Sequence, residues 1–561
     1  MNDLRTPVLV VGAGPSGLTV ANELRRHGVQ VRIIDRAPAP AATSRALVVQ
    51  PRVLEIFEDM GVVDEVLATG NAATSLNILF RADERFRMQL HDLLQDPANF
   101  TRYQSLWTLS QDDTERILTK HLATQGVRVE RGLAVTDLVS DEDGVTVSVR
   151  TDDGVVDKIR SRWVIGCDGA HSTVRQAAGI PFEGSTYQDE FIMADAELDW
   201  ELPDGDLYVS PSRSGFVAVF GMPGTHRFRI FGNVIVGPEG PSAEYSEPTH
   251  EEFQAMLDSR LPVPATVVKE HWVSRYRLHR KAVPRYRDGQ IILVGDAAHV
   301  HSPAGAQGMN TGIQDAYNLA WKLALAIRGI ADESIVDSYH AERHPVGERL
   351  LATTDRFFTI ISGQNAASKF MRTHVAPRLL TRILGRKSFR SWFIGTLAQL
   401  RTSYPDSPLN RQRGSDWKDA PAPGDRARQV DVLIDGTPTP LHNLMHGTHH
   451  TVLLFTGVDN KARSAVELCR IAERIEWAYP DLVRAHVVSA ERFADHPCAV
   501  GDPDRAAHKQ YGIDRAAAFV VRPDLHIGYR GAPAEDELLA DLVQRLPGAH
   551  SSAGNTMGLN R

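Results

Sequence analysis

The sequence predicts a multidomain α/β protein, and three regions of the chain predict this fold class. Near the N-terminus an apolar strand runs into a glycine-rich turn and then a helical stretch, which is the entry of a Rossmann-type nucleotide-binding unit. Between residues 182 and 287 short β-type runs alternate with Gly and Pro clusters, which indicates an inserted, mostly antiparallel sheet. From residue 425 apolar strands alternate with amphipathic helices, which indicates a second α/β unit.

Length and composition are those of a large globular protein. The chain has 561 residues, 42% of them hydrophobic and 24% charged, and this length suggests about three or four domains. A formal net charge of -8 argues against a nucleic-acid partner. Because the chain shows no run of about 20 apolar residues and no basic leader, we expect a cytoplasmic protein that does not span a membrane.

The cysteine and histidine spacings predict no metal site. Cys167, Cys469 and Cys498 form no CxxC pair, so neither a disulfide framework nor a zinc site is indicated. His299 and His301 have the spacing of a metal pair, but no third ligand lies at a suitable distance in the sequence.

The N-terminal unit contains a dinucleotide-binding motif. A strand at residues 8–11 leads into GAGPSG and a helical stretch, and a second strand at 31–34 ends at an acid. The glycines permit a tight turn and close approach of a pyrophosphate, while the acid is expected to bind ribose hydroxyls. The residues predicted to hold the dinucleotide are Gly12, Gly14, Ser16, Gly17, Asp35 and Arg36.

Residues 291–322 form the stretch most directly tied to chemistry. A buried strand at 291–294 is stopped by Gly295, so that Asp296 projects from its carboxyl end, and a glycine-rich loop leads to a helix from about Thr311. Gly308 and its neighbours allow a flat ligand to approach the backbone, and the helix N-terminus would stabilise negative charge on that ligand.

This stretch resembles the second flavin motif of the class A flavoprotein monooxygenases, the family of para-hydroxybenzoate and phenol hydroxylases. The matching residues are GDAAH at 295–299, then Pro303, Gly305, Gly308 and Asn310. The resemblance implies that Asp296 binds ribityl or ribose oxygens of FAD. It also implies that Gly295 belongs to this FAD site, and that the amides of Gly308, Met309 and Asn310 hold the pyrimidine edge of the flavin.

Other segments carry the same resemblance. Arg45 and Gln111 stand where the family has an arginine and a glutamine that contact FAD, and Asp168 and Gly169 in IGCDGAHSTVR are similar to the family's DG motif. Taken singly, each of these could be a surface charge or a helix cap. The segment SIVDSYHAERHPV resembles the family's Y-x-x-E-R-x-P helix, which is expected to end near Pro345.

The inserted sheet is expected to carry the substrate. The resemblance implies that it covers the flavin and binds an aromatic ring, joined by part of residues 75–100. The pocket candidates are Phe191, Phe216, Phe220 and Phe231. Core packing remains the alternative for each of them. The basic stretch 272–287 is either a solvated face or a site for NADPH phosphates or an acidic substrate.

The C-terminal unit resembles the thioredoxin-like tail of the larger phenol and polyketide hydroxylases. Where a thioredoxin carries CxxC, this chain has TGVDN at 456–460, so thiol redox chemistry is not expected. A structural role or a homodimer contact remains.

The predicted domain order follows from these regions. The FAD-binding domain spans residues 1–181 and returns at 288–400, the substrate sheet spans 182–287, a linker spans 401–424, the thioredoxin-like unit spans 425–548, and a flexible tail spans 549–561.

The resemblance implies an NAD(P)H- and FAD-dependent monooxygenase that hydroxylates a phenolic or polycyclic aromatic substrate through a flavin hydroperoxide, with dioxygen as co-substrate. Because only one nucleotide fingerprint is present, NADPH or NADH is expected to bind transiently. Arg45 and Pro303 are the catalytic candidates, and no residue identifies itself as the base that activates the phenol. A Baeyer-Villiger or epoxidising enzyme and a non-catalytic FAD-binding protein remain as alternatives.

Overall fold

The elements below come from a computed structural model, which describes residues 5–41, 46–81, 85–94, 96, 99–234, 247–301, 306–362, 370, 382, 386–414, 417, 419–459, 462–491, 496 and 498–546. The strands are β1 (Arg5–Val11), β2 (Val31–Asp35), β3 (Val48–Val49), β4 (Asn71–Ala73), β5 (Ser75–Leu79), β6 (Arg85–Gln89), β7 (Leu106–Thr108), β8 (Val129–Arg131), β9 (Leu133–Asp141), β10 (Gly144–Thr151), β11 (Val156–Gly166), β12 (Glu183–Trp200), β13 (Leu207–Ser212), β14 (Gly215–Gly221), β15 (Arg227–Val234), β16 (Ala265–Ala282), β17 (Arg287–Asp288), β18 (Ile291–Leu293), β19 (His299–Val300), β20 (Arg411–Gln412), β21 (Asp431–Ile434), β22 (Thr437–Pro440), β23 (His450–Phe455), β24 (Val483–Ser489), β25 (Ala499–Gly501), β26 (Ala517–Val521) and β27 (Ile527–Gly531). The helices are α1 (Pro15–Arg26), α2 (Pro51–Asp59), α3 (Val63–Thr69), α4 (Leu90–Leu94), α5 (Gln111–Thr124), α6 (Thr173–Ala177), α7 (His250–Asp258), α8 (Gly308–Ile327), α9 (Asp337–Ser362), α10 (Lys387–Leu397), α11 (Ala465–Ala478), α12 (Ala506–Gln510) and α13 (Glu535–Arg545).

The first sheet, called here the nucleotide sheet, is built on parallel strands. Its order is β17-β18-β11-β1-β2-β8, and β10 and β9 continue from β11. Strands β18, β11, β1, β2 and β8 run parallel, and the apolar residues of the central strand β1 are buried. The predicted unit of strand, helix and strand at the N-terminus is confirmed as β1, α1 and β2. Parallel strands end at a common edge, so the loops after β1, β11 and β18 lie together.

The second sheet, called here the central sheet, has the order β19-β16-β12-β15-β14-β13-β5-β6. Its neighbours are antiparallel except for β13 and β5, which confirms the predicted mostly antiparallel sheet. Strand β19 follows β18 closely in the chain and pairs with the end of β16. The two sheets are therefore joined where the loop after β18 begins. A small third sheet has the order β3-β7-β4.

The C-terminal sheet has the order β20-β27-β26-β23-β24-β25-β21-β22. The predicted alternation of strands and helices after residue 425 is confirmed. Strand β20 comes from the segment predicted as a linker and pairs in parallel with β27. Within the described part of the chain, no helix has the length and apolar character needed to cross a membrane. The tail predicted at 549–561 lies outside the described residues.

A buried group of charged side chains, called here the charge cluster, joins the C-terminal sheet to the helices of the nucleotide sheet. Glu342 on α9 accepts hydrogen bonds from Arg522 at 2.6 and 2.9 Å and from Lys322 on α8 at 2.6 Å. Arg522 also pairs with Asp524, and the Asn318 amide contacts both Glu342 and Asp524. Each of these side chains is at most 2% exposed. Their charges are therefore stabilised by their ionic partners and not by water.

The pKa shifts in the charge cluster follow from these contacts. Burial alone would raise the pKa of Glu342, but Arg522 and then Lys322 hold it well below its usual range. Burial lowers the pKa of Lys322 to about 8, so its ammonium still carries charge at pH 7. The cluster is ionic at neutral pH, and its two cations balance its two carboxylates.

Helix α9 does not end near Pro345 as predicted; it continues to Ser362 with the proline inside it. Proline removes one backbone hydrogen bond and ordinarily kinks or stops a helix at a cost of about 3 kcal/mol. The turn just before Pro345 carries Glu342 and Arg343, both buried and hydrogen-bonded. Packing of this face against α8 offsets the local cost, which sequence pattern alone does not show.

The backbone just before α8 is strained at Ala306. This residue has φ of 52°, a left-handed conformation that costs a residue with a Cβ about 1–2 kcal/mol. The flavin motif that this loop resembles has the pattern P-x-x-G-x-G-x-N. Counted from Pro303, its first glycine falls at position 306 rather than at Gly305. The chain therefore has an alanine at the position whose backbone favours glycine.

Replacing Glu342 with alanine is expected to destabilise the protein strongly. The substitution removes the carboxylate that pairs with Lys322 and Arg522. Removing one partner of a buried ion pair costs about 3–5 kcal/mol of stability because the remaining charge stays buried and unpaired. Thermal melting checks this, with Glu467→Ala as the control because Glu467 forms an exposed pair with Arg463. Equal melting temperatures for the two variants would contradict an energetic role of the charge cluster.

Acidification tests the same carboxylate. The pKa of Glu342 in the folded state lies below its ordinary value of 4.5, so its stabilisation is present above that pH and is lost as the pH falls below it. The melting temperature of the wild type should therefore fall more between about pH 5 and 3 than that of Glu342→Gln. Parallel curves for the two proteins would contradict this assignment.

Replacing Ala306 with glycine is expected to stabilise the protein by up to about 1 kcal/mol. Glycine relieves the left-handed strain, and its larger unfolded-state entropy offsets part of the gain. Ala320→Gly, in the interior of α8, is the control and should lose about 1 kcal/mol or more. The measurement is thermal melting of both variants, and a loss of stability in Ala306→Gly would show that the strain is absent.

Candidate active site

A cavity of about 440 Å³ lies between the carboxyl edge of the nucleotide sheet and one face of the central sheet. Its volume is in the range of small-molecule sites. One wall is formed by the loops after β1, β11 and β18 and by the start of α8. The opposite wall comes from β12, β13, β14, β15 and β16. The cavity therefore touches both regions that the sequence singled out.

The dinucleotide motif forms a closely packed turn at the end of the cavity. A Cβ on Gly17 would overlap the Gly12 carbonyl oxygen, so α1 can pack on this turn only with glycine there. Gly14 and Ser16 line the cavity, and α1 begins with Pro15, whose fixed φ suits the first helical position. The first turn of α1 thus presents its N-terminus to the cavity.

Asp35 fixes the same turn through its side chain. Its carboxylate accepts hydrogen bonds from the amides of Ala13 at 2.6 Å and Ala37 at 2.7 Å. Arg36 is exposed and is not among the residues that line the cavity. Gln111, at the start of α5, lines the cavity and donates to Glu115 at 2.9 Å. Burial raises the pKa of Glu115.

The second motif contributes the loop and helix on the other side of α1. Asp296 is exposed on the cavity surface, and Gly308 and Met309 line the cavity at the N-terminus of α8. A Cβ on Gly312 would overlap the Ser16 hydroxyl, so α8 and α1 meet in close contact. The helix begins at Gly308, three residues before the predicted start.

The prediction for Asn310 concerns its backbone amide, and its side chain bonds within the protein. Its side chain is fully buried and accepts from the Gln50 amide at 2.9 Å. It also donates to the Val48 carbonyl at 2.7 Å and to the Ala306 carbonyl at 3.0 Å. The side chain therefore ties β3 to the start of α8, and only the backbone of this residue remains for a ligand.

Asp168 is also engaged within the protein. Its carboxylate accepts from the Ser172 hydroxyl at 2.5 Å and from the amides of Thr173 and Val174 at 2.7 and 3.1 Å. It caps α6, the alternative that its sequence position left open, and burial raises its pKa. The neighbouring Gly169 lines the cavity, so the turn reaches the site through its backbone.

The opposite wall is aromatic. Phe216, Phe220 and Phe231 line the cavity, together with Tyr276. Phe191 is completely buried behind them and stacks on Phe231 with ring centroids 5.4 Å apart. Three of the four predicted pocket phenylalanines therefore face the cavity. The fourth is core, which was the alternative for each of them.

Two arginines lie on the cavity wall, and both face carboxylates. The sequence did not single out Arg229, whereas Arg277 belongs to the basic stretch 272–287, for which a site for NADPH phosphates or an acidic substrate was one alternative. Arg229 binds Asp195 through two hydrogen bonds of 2.7 Å and donates to the Ala46 carbonyl at 2.9 Å. Arg277 lies 3.5 Å from Glu190. These partners sit on adjacent strands far apart in sequence, so only the strand register brings them together.

Two histidines on the wall also escaped prediction. His301 packs against Gly308 beside the start of α8, and His279 lies on β16 with its Nδ1 2.9 Å from the Thr186 hydroxyl. His299, in contrast, is buried and bonds Asp315 at 2.8 Å. The pair His299 and His301 therefore divides into one residue of the core and one of the cavity.

The two catalytic candidates, Arg45 and Pro303, lie outside the described residues, as does Gly305. Their described neighbours are at the cavity: Ala46 and Ala306 both line it. The roles of these three residues stay predictions.

Comparison with known proteins assigns this architecture to a family. Residues 5–354 match the family model described as FAD binding domain. The chain is 34% identical to the 6-methylpretetramide 4-monooxygenase of Streptomyces rimosus, over 98% of this chain and 96% of the relative. It is 30% identical to the pentachlorophenol 4-monooxygenase of Sphingobium chlorophenolicum, over 96% of each protein.

A solved structure agrees with these relatives. The anhydrotetracycline hydroxylase OxyS from Streptomyces rimosus has a TM-score of 0.73 and 28% identity, and the match covers 97% of this chain and 99% of that one. The α/β fold class and the resemblance read from the flavin motifs are confirmed. The chain belongs to the FAD-binding-domain family, among the FAD-dependent monooxygenases that hydroxylate aromatic compounds.

Proposed function

We propose that this enzyme hydroxylates a neutral, apolar phenol with dioxygen, using NADPH or NADH as the transient reductant. The observation that carries the proposal is the single cavity in which the flavin motifs form one wall and the aromatic face of the central sheet forms the other. A ring on that face would lie beside a flavin held by the opposite wall. The relatives named for pentachlorophenol and for anhydrotetracycline support an aromatic substrate.

The residues of the first wall fit FAD. The α1 N-terminus at Gly14 and Ser16 suits the diphosphate, Asp35 suits a ribose, and Gln111 and Asp296 suit the ribityl chain. The α8 N-terminus, with Gly308 and Met309, suits the electron-rich pyrimidine edge of the flavin. Bound there, FAD would be reduced by the nicotinamide and would then activate dioxygen.

The paired arginines support a neutral substrate. A benzoate-type acid would require a cation on the aromatic wall, because a buried carboxylate needs a charged partner. Of the described residues on that wall, Arg229 and Arg277 carry positive charge. Asp195 pairs with Arg229, and Glu190 faces Arg277 and also pairs with Arg275. Most of the other side chains on that wall, such as Met193, Phe216 and Phe231, are apolar, which favours an uncharged ring.

His301 is the proposed acceptor of the phenol proton. A phenol becomes a stronger ring nucleophile when its proton is removed, and imidazole is the side chain with a pKa near 7. Among the described residues on the cavity surface, His301 and His279 offer an imidazole. His301 is the better placed of the two because it packs against Gly308, at the boundary between the flavin wall and the aromatic wall.

The remaining assignments extend the proposal to the whole chain. Arg45 and Pro303, in the segments next to Ala46 and Ala306, are proposed to act at the flavin. The C-terminal unit is proposed to have a thioredoxin-like fold without thiol redox chemistry, and the enzyme is proposed to act in the cytoplasm as a homodimer. The parallel order of β23, β24 and β25 supports the thioredoxin-like assignment.

Anaerobic reduction of the bound flavin tests the substrate class. The rate of flavin bleaching should be measured with NADPH and, separately, with NADH. A neutral phenol or a polycyclic hydroxyaromatic should accelerate it about tenfold or more, whereas a hydroxybenzoate should not, because the cations of the largely apolar wall are already paired. Turnover under ¹⁸O₂ should then place one labelled oxygen in the product. Acceleration by hydroxybenzoates alone would contradict the neutral substrate, and an unlabelled product would contradict hydroxylation.

Replacing His301 with glutamine tests the proton acceptor. With His301 as the proton acceptor, His301→Gln should lower kcat at neutral pH. Its kcat should recover only toward the pH at which the phenol ionises by itself, about 10 for a tyrosine-like phenol. His279→Gln is the matched control and should keep the wild-type profile. A shift in the control instead of in His301→Gln would contradict the assignment.

A further inference from the structure

The structure brings two cysteines and a histidine together in the C-terminal unit. Cys469 lies on α11, while Cys498 immediately precedes β25 and His496 lies two residues earlier. One ligand atom from each of these side chains lies within 4.8 Å of the other two. The cysteine spacing predicted no metal site because 29 positions separate the two thiols in the sequence. The fold, and not the spacing, places them together.

This arrangement has the dimensions of a tetrahedral zinc site. Thiolate and imidazole bind Zn²⁺ at about 2.3 and 2.0 Å, so ligand atoms around one ion lie about 3.5–4 Å apart. The three ligand atoms lie within 4.8 Å of one another, so a small side-chain movement would bring them to that separation. Cys469 is buried, and Cys498 and His496 are half-buried, so an ion would be shielded on one side and open to water on the other.

A carboxylate lies behind the histidine. Glu473, one turn after Cys469 on α11, has its Oε1 3.3 Å from Nε2 of His496. A hydrogen bond from one imidazole nitrogen to a carboxylate commonly orients the other nitrogen toward a metal. The other nitrogen, Nδ1, has a long contact of 3.5 Å from the Cys498 amide.

We propose that Cys469, Cys498 and His496 bind one Zn²⁺ ion, with water in the fourth position and Glu473 as a positioning residue. Binding exchanges the two thiol protons for the ion and leaves the imidazole neutral, so it needs no oxidant. The site lies beside the C-terminal sheet, apart from the cavity between the nucleotide sheet and the central sheet. Its effect is to fasten α11 to the segment before β25.

The test uses the FAD-loaded, full-length enzyme after chelation and desalting. Zn²⁺ titration against a chromophoric chelator should show one site, and Co²⁺ should give the d–d bands of a tetrahedral thiolate site, which lie to the red of oxidised flavin absorption. His496→Gln and Cys498→Ser should lose stoichiometric binding. Glu473→Gln should bind about tenfold more weakly. Cys167 remains in every variant, so it cannot account for a loss.

Three controls make the outcome decisive. Flavin content and reduction by NADPH should be unchanged in His496→Gln, which shows that the variant is folded. Zn²⁺ that persists in His496→Gln and Cys498→Ser would be adventitious and would overturn the proposal. A count of one reactive thiol instead of three in the denatured, unreduced enzyme would reveal a Cys469–Cys498 disulfide, which would also overturn it.

Discussion

The ion pairing of Glu342 with Lys322 and Arg522 is the interaction on which the placement of the other elements depends. These charges lie out of contact with water, and buried charges are tolerated only when they are paired and hydrogen-bonded. One cation belongs to α8, the carboxylate to α9 and the other cation to the C-terminal sheet. Lys322 lies 14 residues after Gly308, about 21 Å along the helix axis. The C-terminal unit therefore holds the far end of the helix whose first turn forms the cavity wall.

A second chain of buried contacts runs nearer to the cavity. His299 bonds Asp315 on α8, Asp315 bonds Arg343 on α9 at 2.6 Å, and Arg343 donates to the Tyr404 hydroxyl at 3.0 Å. Burial alone would raise the pKa of Asp315, but Arg343 and then His299 lower it. The strand–loop–helix of the flavin motif is thus held by polar contacts as well as by the close packing of α8 on α1.

The local part of this structure could be predicted from the sequence, and the part that depends on register could not. Glycine spacing and the acid after a strand are local patterns, so the FAD motifs around Gly12 and Asp296 were readable. The same patterns do not say whether a side chain or its backbone serves the ligand, and Asn310 and Asp168 proved to bond within the protein. Arg229 and Asp195 meet because β15 pairs with β12 in one register, for which the sequence carries no local signal.

Because β20 pairs with β27, the C-terminal unit begins before the boundary that the sequence predicts. The sequence places that start near residue 425, after a proline-rich segment, yet Arg411 and Gln412 supply an edge strand from inside that segment. A fragment cut at 425 would leave the backbone of β27 unpaired along that edge, and Arg522 would lose the carboxylate of Glu342. This tail is therefore not a module that can be exchanged at its linker, because its border runs through a sheet and a salt bridge.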